Sequence, residues 1–370
     1  MTYNYDCRFF TGYKPCQFKR ACDGCAHYDK ITTRVAIVSL EALGAVLRST
    51  ALLHPIKRKL PGCHITWITL KNAKPLLAGN PMIDSVVEYD TAGYAVFEHL
   101  KFDYLFAVDK SLSAGALAEK INAREKFGFG VTEHGAIRPF NSFADYQFEV
   151  GLNDQLKFFE NQKPETQQIT ESMGLSWKRD PYVLALSDDE KKEVSGRRTS
   201  LLQEKQGVIG YNTGCSLLYP YKKFTVEKSI ELINLWRQTF PNWVVALLGG
   251  REDEERQTAM KKAFADDPLV VNTPTNQGLR SGILWMDACD WVFTGCSLGL
   301  HIGVALSKPV IAWFGVSCSQ EIDLYEKGFK LQAKVSCSPC WKKSCTNEPK
   351  CFNEVSLVEI KEASQKLIIR

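Results

Sequence analysis

The sequence predicts an α/β protein made of two doubly wound domains, each a parallel sheet covered by helices on both faces. Three observations carry that expectation. Short β-branched apolar runs alternate with helical stretches, the pattern of strand–helix–strand units. The alternation starts twice, near residue 34 and again near residue 207, and a polar stretch rich in Lys, Glu, Asp and Ser at about 187–205 reads as the boundary between the two. The chain has 370 residues, beyond the ~250–300 at which a single hydrophobic core stops growing.

In the first half, residues 34–40 read as a strand, 41–45 as a loop and 46–60 as a helix. Residues 63–69, 83–89 and 102–108 supply three more strands, with a short helix at 74–79 and further pieces to about residue 150. In the second half, a strand at 207–212 runs into a loop through Thr213, Gly214, Cys215 and Ser216, then a helix at 225–239. A strand at 244–248 ends in Gly249-Gly250, ahead of a helix at 252–264. A short strand at 270–271, a helix at 278–289, a strand at 291–294 that breaks at Gly295, a helix at 300–306 and a strand at 309–314 complete it. The expected organisation is therefore an N-terminal extension over 1–33, domains over 34–187 and 206–330, and a tail over 331–370.

With 45% hydrophobic and 24% charged residues, the composition is that of an ordinary soluble protein. No apolar run approaches the ~18 residues of a membrane span, and the first residues lack a secretory layout, so the expected location is the cytoplasm. A net charge of +4 is too slight for a nucleic-acid partner, whose binders concentrate basic stripes.

Cysteine is the unusual residue, at 13 copies. Four stand near the start (Cys7, Cys16, Cys22, Cys25) and four near the end (Cys337, Cys340, Cys345, Cys351). Cys22-Asp-Gly-Cys25 and Cys337-Ser-Pro-Cys340 have the spacing by which two thiolates from one tight turn reach one ion. In a reducing compartment metal ligation outranks a disulfide framework. Two structural four-cysteine sites for Zn²⁺ or iron are expected, with free thiols as the plainer reading. Cys63, Cys215, Cys289 and Cys318 read as packing residues.

Ligands of open parallel sheets bind beyond the carboxyl ends of the strands. There the run Gly295-Cys-Ser-Leu-Gly-Leu-His301 frees backbone N–H groups at a helix start, a setting for an anion such as a diphosphate. The loops 212–216 and 248–250 would face the same crevice. Lys222 and Lys223 either neutralise phosphate charge or merely solvate the following helix.

Residues 35–84, Tyr221-Lys-Lys-Phe224, Leu247-Leu-Gly-Gly250 and the run 295–315 resemble glycosyltransferase family 9, the lipopolysaccharide heptosyltransferases, over about residues 34–365. The resemblance implies the GT-B fold, two facing Rossmann-like domains, here with Cys-rich N- and C-terminal extensions. It implies an inverting transfer of heptose or a related sugar from a nucleotide-diphosphate donor, ADP-heptose among the options, with no organic cofactor. The acceptor would be a lipopolysaccharide core or another envelope glycan, lipid-linked and met at the inner face of the cytoplasmic membrane. By the same resemblance Lys222 lies against the donor phosphate or acceptor, and Glu252 or Asp253 holds the ribose. Thr213, Gly214, Cys296, Ser297, Leu298, Gly299 and His301 line the donor site, and the C-terminal cysteine cluster is a family trait.

The sequence departs from the family twice. Where the family has Gly-Asp, with the Asp as presumed general base, this chain has Gly44-Ala45 in its acceptor loop. Glu41 is then either the substitute base or a solvated loop acid, and Asp84 and Asp103 are further alternatives that read as turn residues. Cys296 stands where the family has an Asp at the donor sugar, and a thiol is a weak hydrogen-bonding group there. Competing expectations are an impaired homologue that binds nucleotide sugar as a scaffold, and transfer to a protein acceptor. Lys334, Lys342, Lys343 and Lys350 either touch anionic lipid, as a peripheral membrane contact, or solvate the tail.

Overall fold

The computed structural model describes residues 2–40, 42–202 and 204–369. The chain divides into two compact units, one built from residues up to 149 together with 166–180, the other from 150–165 together with 181 onward. Relative to the 34–187 and 206–330 division, the second unit therefore also takes residues 150–165 and 181–205.

Unit 1 holds six strands: β1 (Arg34–Val38), β2 (His64–Thr69), β3 (Ser85–Glu88), β4 (Lys101–Ala107), β5 (Asn122–Val131) and β6 (Ile137–Pro139). They lie in the order β3-β2-β1-β4-β5-β6, parallel except for the antiparallel β6. Unit 2 holds β7 (Gly207–Asn212), β8 (Trp243–Leu248), β9 (Val270–Asn272), β10 (Trp291–Gly295), β11 (Val310–Phe314) and β12 (Gly328–Gln332), all parallel, in the order β12-β11-β10-β7-β8-β9. Read from its own first strand, each sheet has the same order. In each the chain reverses direction between its first and fourth strands, and that switch point is where a doubly wound sheet opens a crevice.

Continuous apolar runs make these strands because both faces are covered. Val35 to Val38 and all six residues of β2 are buried, as are all of β10 and β11. In unit 2 an aromatic core forms on one face: Phe224 stacks on Trp313 at 4.7 Å, and Trp236 meets Trp291 and Phe293 edge-on. Trp236 comes from the helix Val226–Thr239, whose start is capped by the Thr225 hydroxyl accepting from the Lys228 N–H. Lys228 donates its ammonium to the carbonyls of Asn353 and Val355, and the Trp236 indole N–H donates to Ser364. The C-terminal tail is thereby part of unit 2.

Two sequence expectations change. The polar 187–205 stretch contains a helix, Asp188–Leu202, with no buried residue. Ion pairs hold it on unit 2, Arg280 with Glu190 and Arg198 with Asp290, and Arg197 covers the Trp285 ring. A helix attached by charge has no apolar period to read. The acceptor loop of Gly44 and Ala45 is likewise helical, within Leu43–Ser49, and the long helix expected after it is broken by a 3-10 turn at Thr50–Leu52 before resuming at Leu53–Lys59. Among the described residues no helix is long and apolar enough to cross a membrane.

Candidate functional site

Four loops leave the carboxyl ends of β7, β8, β10 and β11, and their side chains tie them together. Asn212, the last residue of β7, donates its amide to the Gly214 carbonyl and to the hydroxyls of Thr294 and Ser297, at 3.0–3.1 Å. Thr213 is buried, its hydroxyl and its N–H both donating to the Leu248 carbonyl and its own carbonyl accepting from Arg256. Gly214 has no room for a side chain: a Cβ there would lie 1.9 Å from the Asp253 carboxylate. Asp253 accepts from the Gly250 N–H, while its other oxygen is buried without a hydrogen-bond partner. Burial pushes the Asp253 carboxyl above its usual range, against the pull of that N–H. Glu252 beside it is exposed. The expected Thr213, Gly214, Glu252 and Asp253 therefore stand together, with Asp253 building the loop and Glu252 the one free to reach a ligand.

Gly295 brings the next pieces together. A Cβ there would fall 2.0 Å from the Lys222 carbonyl, so only glycine lets the backbone of Lys222 press on the end of β10. Lys222 closes the short 3-10 turn Pro220–Lys222, and its ammonium lies 3.9 Å from the centroid of the Trp341 ring and 4.8 Å from that of Tyr219. Cys296 follows, half-buried. Burial raises its thiol pKa, while the Lys222 charge and the nearby Ser317 hydroxyl work the other way. Ser297 caps the helix Leu298–Ala305 by position, its hydroxyl held by Asn212. Leu298 and Gly299 open that helix. His301, in its first turn, is buried, with Nδ1 3.3 Å from the Tyr182 hydroxyl and the two rings stacked.

Ser317 and Trp341 were not singled out from the sequence, and Asn212 entered only as the start of the 212–216 loop. Asn212 carried a faint signal, as a polar residue ending a buried strand, whereas Ser317 lies three residues past β11. Trp341 carried none, because its place depends on the path of the tail.

At the carboxyl end of the unit 1 sheet, Glu41 lies outside the described residues. Its neighbour Ala42 has φ +56°, a left-handed conformation that costs a non-glycine residue of order 1–3 kcal/mol and tends to gather at functional sites. Ser39 and Leu40, just before Glu41, are held by Asp109 beyond β4, which accepts from the Ser39 hydroxyl and the Leu40 N–H. The other two acids turn out to be structural. Asp84 binds the Ile65 N–H and Arg8, and Asp103 binds the Arg34 N–H, both at the amino ends of strands and away from the crevice.

The cysteine clusters gather as two groups. Cys7, Cys16, Cys22 and Cys25 line a cavity of about 20 Å³ with Phe9, Phe18 and His27. Cys337, Cys340, Cys345 and Cys351 line another of about 10 Å³. Burial and the nearby Cys340, Cys345 and Cys337 push the Cys351 thiol up to about 11. All thirteen thiols are free. Among the described residues no set of three or more His, Cys, Asp or Glu side chains is arranged to hold a metal ion. Two of the four tail lysines are engaged: Lys334 pairs with Glu359, and Lys350 donates to the Cys345 and Asn347 carbonyls.

The sequence profile of glycosyltransferase family 9 (heptosyltransferase) matches residues 98–351. The chain belongs to that family. It is 24% identical over 317 residues to lipopolysaccharide heptosyltransferase 1 of Campylobacter coli, covering 80% of this chain and 86% of the relative. The fold matches the Escherichia coli ADP-heptose lipopolysaccharide heptosyltransferase II with a TM-score of 0.67, at 15% identity and over 91% and 98% of the two chains. It also matches the iron-containing dodecameric glycosyltransferase TibC of enterotoxigenic E. coli, with a TM-score of 0.53, at 11% identity and over 92% and 77%. The two Rossmann-like units are those of a GT-B enzyme, and this family 9 member is a glycosyltransferase.

Proposed function

We propose that the protein moves heptose or a related sugar from a nucleoside-diphosphate donor, ADP-heptose foremost, to a hydroxyl of a lipopolysaccharide core or similar envelope glycan, with inversion. The observation that carries this reading is the joining of the loops after β7 and β10 by Asn212, with the Lys222 backbone pressed on the end of β10 and its ammonium held over Trp341. A diphosphate leaving group needs charge stabilisation more than covalent chemistry, and a fixed ammonium beside a helix start supplies it. Glu252 is placed to take the ribose hydroxyls. Cys296 and Ser317 stand at the sugar, where a thiol in place of a carboxylate removes one strong acceptor and relaxes the requirement for heptose. Glu41, which in sequence follows the Leu40 held by Asp109 and precedes the strained Ala42, takes the proton from the acceptor hydroxyl in place of the missing Asp at Ala45. With a lipid-linked acceptor the reaction runs at the inner face of the cytoplasmic membrane.

Each cysteine group has donors of the right chemistry for a thiophilic ion, four thiols lining one small cavity, although their present spacing does not form a coordination site. Cys7, Cys16, Cys22 and Cys25 would hold one Zn²⁺ or iron ion and Cys337, Cys340, Cys345 and Cys351 another. Such an ion cross-links its segment and takes no part in the transfer.

The test is a panel of nucleotide sugars scored for thermal stabilisation and slow donor hydrolysis. ADP-heptose should stabilise the protein and turn over, and Glu41→Gln should remove turnover while keeping stabilisation. Stabilisation without turnover by any donor would defeat the catalytic reading, and no stabilisation at all would defeat the donor site. Metal content of the purified chain should be near two ions per protein and fall to near one in Cys340→Ser; a metal-free preparation refutes both sites.

A further inference from the structure

The Lys222 ammonium, the charge on which donor binding rests, meets aromatic faces. The Trp341 centroid is 3.9 Å away and the Tyr219 centroid 4.8 Å, and these two rings meet edge-on at 5.4 Å. A second ammonium, that of Lys157, lies 4.9 Å from the same Trp341 ring and 4.0 Å from the buried Glu321 carboxylate. A ring face attracts a cation without cancelling its charge. A lysine so held stays in place and remains available to a phosphate, whereas a carboxylate partner would first have to be displaced.

Trp341 is itself fixed firmly. It follows Cys340 directly and adopts φ +49°, in the left-handed region. Its N–H and that of Cys340 both donate to the Val316 carbonyl, at 2.8 and 3.1 Å. Two residues before Cys340, the Ser338 hydroxyl donates to the Gly315 carbonyl. The cysteine-rich tail is thus laid on the loop that leaves β11, and the turn at Cys340 swings the indole back over Lys222.

We infer that Trp341 is a positioning residue of the donor site, holding the Lys222 ammonium at the carboxyl ends of β10 and β11 for the diphosphate. The tail therefore contributes to donor affinity through its tryptophan. This inference rests on the donor-site reading above and adds a residue to it.

The experiment measures ADP and UDP affinity by calorimetry for the full-length chain and its variants, each checked for a cooperative thermal transition. Trp341→Ala should raise the Kd of the preferred nucleotide about 5- to 30-fold, the span of a desolvated cation–π contact. Trp341→Phe should stay within about threefold of the parent, and Trp341→Leu, which keeps apolar bulk but has no ring face, should behave like Trp341→Ala. In a Lys222→Ala background, Trp341→Ala should cause no further loss. Should Trp341→Ala fail to fold, the Phe and Leu variants decide. Full affinity in the Leu variant, or losses that simply add in the double variant, would overturn the role of the indole. If the parent chain binds neither nucleotide, the donor-site reading itself falls; if it binds and Trp341→Ala binds equally well, only the positioning role falls.

Discussion

The carboxyl ends of the two sheets share a strand order and differ in construction. In unit 2 the end is densely cross-tied. Asn212 joins the loops after β7 and β10, Gly214 is closed down on Asp253, and Gly295 is closed down on the Lys222 backbone. In unit 1 the loop after β1 is held by Asp109 on Ser39 and Leu40, followed by a strained Ala42. The contrast separates two tasks. Holding a diphosphate requires several rigid groups placed at once, so its machinery resists drift; a proton acceptor is a single carboxylate, and its position can move along a loop without disturbing the sheet.

Lys222→Ala gives the sharpest view of that division. Turnover should drop about 10²–10³-fold, as for loss of one preorganised charge on a leaving group, with nucleotide affinity falling too; steady-state kinetics and calorimetry check both, and a normal rate would move the phosphate site elsewhere. Next in size is Gly214→Ala. The new methyl meets a buried carboxylate, so stability should fall by about 1–3 kcal/mol, the usual cost of overpacking, and nucleotide binding should weaken by at least tenfold. Chemical denaturation and binding curves that match the parent would show that Asp253 can move aside. In unit 1, Asp109→Asn should do the reverse. Its loss of charge-assisted bonds to the loop, worth about 1–3 kcal/mol, should slow turnover several-fold while leaving the ADP Kd unchanged, and a changed Kd would erase the distinction between the two ends.

The smallest effect concerns pH. The Arg280 guanidinium, bonded directly to Glu190, holds that carboxyl down to about 2 from an ordinary 4.5. A depressed folded pKa contributes stability above the unfolded value, and that stability is lost as pH falls from about 4.5 through about 2. Glu190→Gln should lower the thermal midpoint slightly at neutral pH and flatten its decline across that acid window. An identical acid profile would mean the pair contributes nothing, as many surface pairs do.

Much of the fold was legible. The strand ends at Asn212, Leu248 and Gly295 fall at or within a residue of where the apolar runs stop, because a strand buried on both faces is apolar throughout and polar or glycine residues mark its exit. The helix Asp188–Leu202 was not legible, since its attachment is ionic. Nor was the helical setting of Gly44 and Ala45, where glycine near a strand end reads as a turn. Of the residues expected from sequence, Lys222, Gly214, Asp253 and Ser297 all lie at the carboxyl end of the unit 2 sheet, and their role toward a donor is the proposal made above. Asp84 and Asp103 were separated from Asp109 only by knowing which end of the sheet each occupies.

What the sequence by itself determined was local and periodic: two doubly wound halves, small residues after strands, and cysteines in two clusters. What only the tertiary structure decided was which distant residues share a point in space. Trp341 stands 119 positions after Lys222, and no pattern in either segment encodes their meeting. It follows from a turn at Cys340 bonded to Val316, from Lys228 holding the Asn353 and Val355 carbonyls, and from Gly295 admitting the Lys222 backbone. Periodicity records which face of an element is buried, whereas a site made of loops is set by the packing of everything beneath them.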